Sequence, residues 1–310
     1  MKNDVNYGSK EQHGLHWGIS EFIAPGWRVG LIEQGGSCQR LREQDLSNCN
    51  NPVITLGNIW AHKDPQEAKL FRHPDEYEKH GVRWFCWDNP QLPHLLYRGH
   101  HNPQGYKNWM RITEGNTVTT PDTAVREGQS GAERINQQLR DITEGRIQKW
   151  WQIVGERKNK IEARGKKVLV CPSGAGVFPN YYDLDKTDWI RERMHQLTNM
   201  GYRPVLRDKP GRQAREINNN KLHEVIHNED IAFTVSIHSV VPVETLVAGI
   251  PAVVEGRHAS GELGTPWDEF VATNKLRCPE REEVDTWVDR ILMDTFHKTE
   301  AYTGVWYNGQ

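Results

Sequence analysis

The sequence has no long hydrophobic run. No segment approaches the roughly 18 consecutive apolar residues that a membrane-spanning helix needs. The first residues, MKNDVNYGSKEQHGLHWG, contain no apolar core of the kind found in signal peptides. We therefore expect a cytoplasmic protein without a membrane partner.

Cysteine is scarce, and neither sign of charge dominates. The five cysteines are odd in number and no two form a Cys-x-x-Cys pair, so neither a disulfide framework nor a Cys-based zinc site is indicated. The net charge is −2, which predicts no overall attraction to nucleic acid, although it is compatible with a local basic patch. A Gly-x-Ser-x-Gly elbow is also absent, which weakens a hydrolase interpretation.

Aromatic residues are plentiful by contrast. The 310 residues include 12 Trp, 9 Tyr and 7 Phe, which is enough to build a core in a chain long enough for two domains. Residues 1–125 are rich in Gly, Pro, Asn, His and Trp. Short apolar runs predict strands in this part at Trp27–Glu33, Pro52–Leu56 and Val82–Trp87.

A helical linker is predicted between the two halves of the chain. Residues 133–164 contain no Pro, and the segment 146–167 is rich in Lys and Arg and carries Trp150 and Trp151. Two interpretations fit this segment. It is either a solvated helix whose two Trp side chains pack on a neighbour, or a basic surface that offers stacking faces to nucleic acid.

From residue 166 onward, strands and helices alternate. The predicted strands are Lys167–Cys171, Pro204–Leu206, Ile231–Ile237 and Pro251–Val254, and the predicted helices are Thr187–Met200, Asn219–Asn228 and Val243–Ala248. Such alternation predicts an α/β fold with a doubly wound parallel sheet. Ligands of these sheets bind outside the carboxyl ends of the strands.

Two of the predicted strand ends carry residue types that suit phosphate. Ser173 and Gly174 follow the first strand in a turn of small residues, where backbone N–H groups can approach an anion, although a plain tight turn has the same composition. Arg207 and Lys209 follow the second strand, with two further arginines close behind. Such a cluster suits a diphosphate, but a solvated charged loop has the same pattern.

The third strand end is the strongest signal in the chain. His238 and Ser239 end a predicted strand, and Pro242 stands in the first turn of the following helix. Ser239 can offer its hydroxyl to a phosphate, and Glu244, about one turn into the helix, can accept two ribose hydroxyls. An ordinary strand–helix–strand unit with a buried polar cap is the alternative.

These motifs, in this order, resemble those of a known enzyme family. The segment 236–254, SIHSVVPVETLVAGIPAVV, resembles the nucleotide-sugar motif of GT-B glycosyltransferases, RDKP resembles an upstream R-x-KP element, and CPSG resembles the turn that opens the same domain. The tail from Arg281 to Trp306 resembles a phage-associated group of such proteins. The resemblance covers about residues 166–306.

The N-terminal half is similar to the same group more loosely. Residues 52–60 (PVITLGNIW) resemble a strand-plus-Gly element, and segments at 87–90, 97–99 and 109–113 resemble a D-x-x-Y…Y-x-R-I-T stretch. The chain departs from that pattern at Leu92 and Pro93, near where an aromatic residue is usual. This departure bears on acceptor recognition.

The resemblance implies an α/β, GT-B-like fold with two Rossmann-like domains facing a cleft and a C-terminal helix closing back. Residues 1–150 are then the acceptor-side domain with the linker, and 151–310 the nucleotide-sugar-binding domain. It implies a metal-independent glycosyltransferase that takes a nucleotide-sugar, with UDP expected because it is the commonest donor nucleotide in this fold. No further cofactor is expected. Asp183 and Asp185 have the letters of a metal-binding D-x-D motif, but their polar loop before a helix suits capping.

Site residues follow from the motifs and the resemblance together. The expected donor-binding residues are Ser173, Gly174, Arg207, Lys209, His238, Ser239 and Glu244. For the base that deprotonates the acceptor, Asp88 is the first candidate because it ends a predicted strand, and His100, His101 and Glu21 are its rivals.

The acceptor stays open between several classes. The phage-associated group that the chain resembles implies a protein of the host cytoplasm and a hydroxymethylated pyrimidine in duplex DNA as the acceptor. Such a base must be flipped out of the stack, and the basic linker is the expected contact surface. A glycan or polysaccharide acceptor is the alternative among enzymes. A non-catalytic nucleic-acid-binding protein is the alternative outside them.

Overall fold

The computed structural model forms two compact units, residues 1–137 with 289–310 and residues 138–288. The described residues are 4–8, 37–40, 53–56, 79–81, 84–88, 90–92, 109–114, 145, 147–156, 165–175, 177–208, 222, 225–226, 230–256 and 258–297. The predicted division of function at residue 150, with acceptor and donor sides, stays a prediction.

The first unit contains a mixed sheet. Its described strands are β1 (Asp4–Gly8), β2 (Ser37–Arg40), β3 (Val53–Leu56), β4 (Trp84–Asp88), β5 (Trp109–Glu114) and β11 (Thr295–His297). They lie in the order β11-β5-β4-β3-β1-β2. The strands β2, β1, β3 and β4 are parallel, whereas β5 runs antiparallel to both β4 and β11.

Two of the three strands predicted in the N-terminal half are confirmed. The prediction at 52–56 corresponds to β3 and that at 82–87 to β4, whereas 27–33 lies outside the described residues. Phe85 of β4 and Ile112 of β5 are fully buried, because each contributes an apolar side chain to the core beside this sheet.

The second unit contains a parallel sheet, as the alternating pattern predicts. Its described strands are β6 (Lys167–Cys171), β7 (Arg203–Leu206), β8 (Ile231–Ile237), β9 (Ala252–Glu255) and β10 (Thr265–Pro266), in the order β10-β9-β8-β6-β7. All seven residues of β8 are buried, as expected for a central strand covered on both faces. Strand order reverses between β6 and β8, which creates a topological switch point there.

Helices follow the strands of this unit. The described helices are α1 (Lys186–Asn199), α2 (Val241–Val247), α3 (Trp267–Thr273) and α4 (Arg281–Met293). Two short π-helical segments also occur, at Trp151–Gly155 and Phe178–Tyr182. Of the helix predicted at 219–228, the described Leu222, Val225 and Ile226 are helical, and both Leu222 and Ile226 are buried.

A polar cluster ties α1 to the end of β9. The guanidinium of Arg193 donates to both carboxylate oxygens of Glu255, over 2.7 and 2.9 Å, and the indole N–H of Trp189 donates to Glu255 over 2.8 Å. The same guanidinium lies 4.8 Å from the ring centre of Trp267 in α3. These contacts fix the position of α1 at the carboxyl edge of the sheet.

Trp151 is part of a core and does not form a stacking surface. Its side chain is 8% exposed, and its ring lies against Gly155 and Gly249. A Cβ added at Gly249 would overlap the Cα of Gly155, so two backbone segments touch here. Of the two interpretations of this segment, packing on a neighbour therefore holds for Trp151, because its ring is inaccessible to nucleic-acid bases.

Within the described part of the chain, no helix combines the length and the apolar character needed to cross a bilayer.

Candidate functional site

Three strand ends meet at the carboxyl edge of the second sheet. The central strand β6 lies between β7 and β8, with Val170 in register with Leu206 and Cys171 in register with Ser236. Because the three strands are parallel, the residues that follow them emerge at one edge. Ser173 and His238 are thereby brought to the switch point of the sheet, and Arg207 lies at the end of the adjacent strand β7.

Ser173 and His238 are joined directly. The hydroxyl of Ser173 donates to the backbone carbonyl of His238 over 3.0 Å, which links the turn after β6 to the end of β8. Gly174 follows in this turn, and its carbonyl accepts from the N–H of Val177 over 3.0 Å. An added Cβ at Gly174 would meet nothing within 4 Å, so this stretch of backbone is open to a bound group.

His238 has an uncommon backbone conformation. Its φ is 52°, in the left-handed region that residues with a side chain seldom adopt. Conformations of this kind cluster at functional sites, where surrounding contacts hold them. Here the phenol oxygen of Tyr182 lies 3.2 Å from Nδ1 of the His238 ring, so both the ring and the carbonyl of His238 have partners in the β6–α1 connection.

Ser239, the next residue, contacts the start of α2. Its hydroxyl accepts from the N–H of Val241 over 3.4 Å. The predicted helix at 243–248 begins two residues earlier in the structure, at Val241, because Pro242 fits the first helical turn, where its missing N–H is not needed.

Glu244 lies in the first turn of α2 and is buried, with only 4% of the residue exposed. Burial raises the pKa of its carboxyl to about 8, and the nearby positive charge of Arg207 partly opposes the rise. At neutral pH this carboxyl is therefore largely protonated, and it can donate as well as accept a hydrogen bond.

Arg207 carries the positive charge of this edge. Its backbone N–H donates to the carbonyl of Val170 over 2.8 Å, which anchors it beside β6. Burial raises the pKa of the Cys171 thiol to about 12, and the positive charge of Arg207 partly opposes this rise, as it does at Glu244. The Cys171 thiol is thus protonated at neutral pH and is a packing group, since the thiolate is the reactive form.

The structure adds His258 and Tyr182, which no sequence spacing indicates. His258 is buried, and burial lowers its pKa to about 3, with a smaller electrostatic contribution from His238, while a hydrogen bond with the Ser239 backbone opposes the shift. Its Nδ1 accepts from the backbone N–H of Ser260 over 3.1 Å and lies 2.6 Å from the Ser260 hydroxyl. A neutral imidazole therefore lies beneath the His238–Ser239 turn.

Of the two acidic residues before α1, Asp185 caps the helix, as its position predicts. Asp185 accepts from the backbone N–H groups of Thr187 and Asp188, over 2.7 and 3.0 Å, as the N-cap of α1. These two hydrogen bonds lower the pKa of the Asp185 carboxyl. Next to it, Lys186 forms an ion pair with Asp208 over 2.6 Å, which ties the residue after Arg207 to the start of α1.

A metal-binding pattern also occurs in the sequence between β7 and β8, outside the motifs that predict the donor site. Residues 223–227 read His-Glu-Val-Ile-His, and two His side chains one helical turn apart can bind zinc with the Glu as a base. The three polar side chains lie outside the described residues. The pattern alone does not assign a site, because a catalytic zinc needs a third protein ligand.

The candidate bases belong to the first unit. Asp88 is the last residue of β4, as predicted, and its Cα is in register with that of Arg111 in β5. His100, His101 and Glu21 lie outside the described residues, as does Lys209 among the donor-binding candidates. Their roles stay predictions.

No protein-family model matches the chain, and no curated protein matches it. Among solved structures, the chain is similar to the beta Kdo 2,7 transferase of KpsC from Thermosulfurimonas dismutans, at 12% identity and a TM-score of 0.45, over 98% of each chain. It is also similar to the beta Kdo 2,4 transferase of the same protein, at 13% identity and a TM-score of 0.45, over 95% of this chain and 90% of that one. Likenesses of this size assign neither a family nor an activity.

Proposed function

We propose that this protein is a glycosyltransferase that binds a nucleotide-sugar at the carboxyl edge of its second sheet. The observation that carries the proposal is that Ser173 and His238 are joined at the switch point between β6 and β8, with Arg207 at the end of the adjacent strand β7. This is the place where parallel sheets bind nucleotides.

The residues at this edge suit a diphosphate. Ser173 and the open backbone at Gly174 supply small polar groups, and Arg207, whose backbone is anchored to Val170, supplies a cation with several N–H donors. Cations that stabilise the leaving diphosphate replace the metal ion that other transferases use. We therefore propose a metal-independent reaction, with Lys209 as a second cation.

Glu244 is proposed to bind the ribose. It follows the His238–Ser239 turn by about one helical turn, and its carboxyl is buried and largely protonated at neutral pH. A protonated carboxyl can accept one ribose hydroxyl and donate to another. A buried polar group of this kind also discriminates strongly against a ligand that lacks its partner.

The proposed reaction transfers the sugar directly from the donor to a hydroxyl of the acceptor. A base removes the proton of the acceptor hydroxyl as the oxygen attacks the anomeric carbon of the sugar, and the bond from that carbon to the diphosphate oxygen breaks. The nucleoside diphosphate leaves with the electron pair. Asp88 at the end of β4 is the proposed base, with His100, His101 and Glu21 as rivals.

Donor and acceptor identity rest on the sequence resemblance. It favours UDP as the nucleotide and a hydroxymethylated pyrimidine in DNA as the acceptor, ahead of a glycan. The burial of Trp151 removes one of the two aromatic faces on which the DNA interpretation depended. This burial favours a glycan acceptor over DNA.

A binding and transfer screen tests the proposal. Thermal shifts are measured with UDP-, GDP-, CMP- and dTDP-sugars, and mass spectrometry follows transfer to duplex DNA with 5-hydroxymethylcytosine or 5-hydroxymethyluracil and to oligosaccharides. A bound nucleotide raises the melting temperature by mass action. A sugar-sized mass gain on DNA or on a glycan identifies the acceptor, whereas no shift with any nucleotide contradicts the proposed function.

The same screen is repeated with EDTA and with added zinc, and the zinc content of the purified protein is measured. Unchanged transfer in EDTA is the expected result. Activity that depends on zinc would contradict metal independence and would direct attention to the His-Glu-Val-Ile-His segment at 223–227.

A further inference from the structure

The connection between β6 and α1 contacts His238 on both sides. Ser173, at its beginning, donates to the His238 carbonyl over 3.0 Å, and Tyr182, at the end of its π-helical segment, lies 3.2 Å from His238 Nδ1. The two aromatic rings meet edge to face, with their centres 6.1 Å apart and their planes at 77°. One loop thus fixes both the backbone and the ring of His238.

The position of the Tyr182 ring is itself fixed by a glycine. Gly256, which follows β9, has a φ of 70°, and a Cβ added there would lie 2.5 Å from the ring and the hydroxyl of Tyr182. Any larger residue would displace the ring. The absence of a side chain at 256 therefore allows Tyr182 to reach His238.

The direction of the hydrogen bond between Tyr182 and His238 depends on the tautomer of His238. A phenol hydroxyl is a good donor, and the unprotonated nitrogen of a neutral imidazole is a good acceptor. When one ring nitrogen accepts, the proton of a neutral imidazole is on the other. If the hydroxyl of Tyr182 donates to Nδ1, Nε2 of His238 carries the proton.

We propose that Tyr182 is a positioning residue that selects the Nε2–H tautomer of His238, so that His238 presents a hydrogen-bond donor to a phosphate of the nucleotide. The phosphate part of this inference rests on the proposed function. The tautomer part does not, because it concerns the protein without ligand. Tyr182 acts through His238 and is not itself a catalytic residue.

Two-bond nitrogen–proton correlation NMR on the histidine-labelled 310-residue protein reads the tautomer directly. The signals of His238 are identified by their loss in His238→Asn. In the wild-type protein at pH 7.5 we expect the Nε2–H pattern. Tyr182→Phe, which keeps the ring against Gly256 but removes the hydroxyl, should give a mixture of the two tautomers.

Tyr202→Phe is the matched control. It also removes a phenol hydroxyl from this unit, one that donates to Asn274 over 2.8 Å, and it should leave the His238 pattern unchanged. Gly256→Ala provides a second variant, since it displaces the Tyr182 ring, and it should reproduce the mixture. Gly201→Ala, at a φ of 84° with open space around it, controls for the backbone strain.

Titration with UDP completes the test. Tyr182→Phe should weaken binding by about fivefold, the effect of one net hydrogen bond, and Tyr202→Phe should not weaken it. A wild-type His238 with the Nδ1–H or doubly protonated pattern, or an unchanged pattern in Tyr182→Phe, overturns the assignment. An altered tautomer with unaltered UDP affinity overturns its link to phosphate binding. Absence of UDP binding by the wild-type protein contradicts the UDP-dependent function instead, and the NMR result still decides the tautomer.

Discussion

Ser173 and His238 are 65 residues apart in the sequence, yet the Ser173 hydroxyl donates to the His238 carbonyl over 3.0 Å. The contact spans the switch point of the parallel sheet, between the ends of β6 and β8. It joins the two motifs on which the proposed nucleotide site depends.

Replacement of Ser173 by Ala should therefore affect both stability and nucleotide binding. Loss of one hydrogen bond destabilises a protein by about 1 kcal/mol. Urea unfolding measures the stability, and UDP titration the affinity, which should fall. Ser236→Ala is the control, because the Ser236 hydroxyl donates to the Cys171 carbonyl over 2.7 Å from a fully buried position. Ser236→Ala should lose stability but keep its affinity for UDP. If the two variants bound UDP equally well, Ser173 would not belong to the nucleotide site.

Glu244 should make the protein less stable as the pH rises. Its pKa is about 8 in the folded protein against 4.5 for an ordinary Glu, so between these values the folded state binds more protons than the unfolded state. Its stabilising contribution is thus complete below pH 4.5 and is lost as the pH rises to about 8. Glu244→Gln should flatten this slope in urea unfolding measured from pH 5 to 9. An identical slope in the variant would mean that the carboxyl is ionised when folded.

The contact between Gly155 and Gly249 should tolerate no side chain. Gly249→Ala would place a Cβ against the Cα of Gly155 at a φ of 78°, and it should destabilise the protein by about 3 kcal/mol or more. Gly201→Ala, at a φ of 84° in open space, should cost only about 1 kcal/mol. Thermal unfolding of the two variants tests this difference, and equal losses would show that backbone strain alone matters.

Asp88→Asn should abolish sugar transfer and leave donor binding intact, because it removes the proposed base but none of the proposed donor-binding residues. Single-turnover transfer assays and UDP titration measure the two effects separately. Full transfer by this variant would reassign the base to His100, His101 or Glu21.

The strands and their ends could be predicted from the sequence. The apolar runs at 167–171 and 231–237 correspond to β6 and β8 at the observed bounds, because buried parallel strands are apolar throughout. Since parallel strands place their ends at one edge, the meeting of Ser173, Arg207 and His238 followed from the same pattern.

The contacts around His238 could not be predicted in this way. Tyr182 and His258 lie in connecting segments, and their approach to His238 and Ser239 depends on loop conformation and on the glycine at 256, which leave no periodic signal. For the same reason, the sequence could not decide between the two interpretations of Trp151. A Trp beside basic residues has the composition of a nucleic-acid surface, and only packing against Gly155 and Gly249 shows that the ring is buried.

Calorimetric titration of UDP into three proteins tests the central claim most directly: the wild-type chain, Arg207→Ala and Arg203→Ala. Both arginines flank the same strand. Arg203 begins β7, away from the proposed site, whereas Arg207 follows the carboxyl end of β7. Loss of a charged contact to phosphate should weaken binding by at least about tenfold in Arg207→Ala. Arg203→Ala should bind like the wild type. Equal affinities in all three proteins, or no binding by the wild type, would contradict a UDP site at this edge of the sheet.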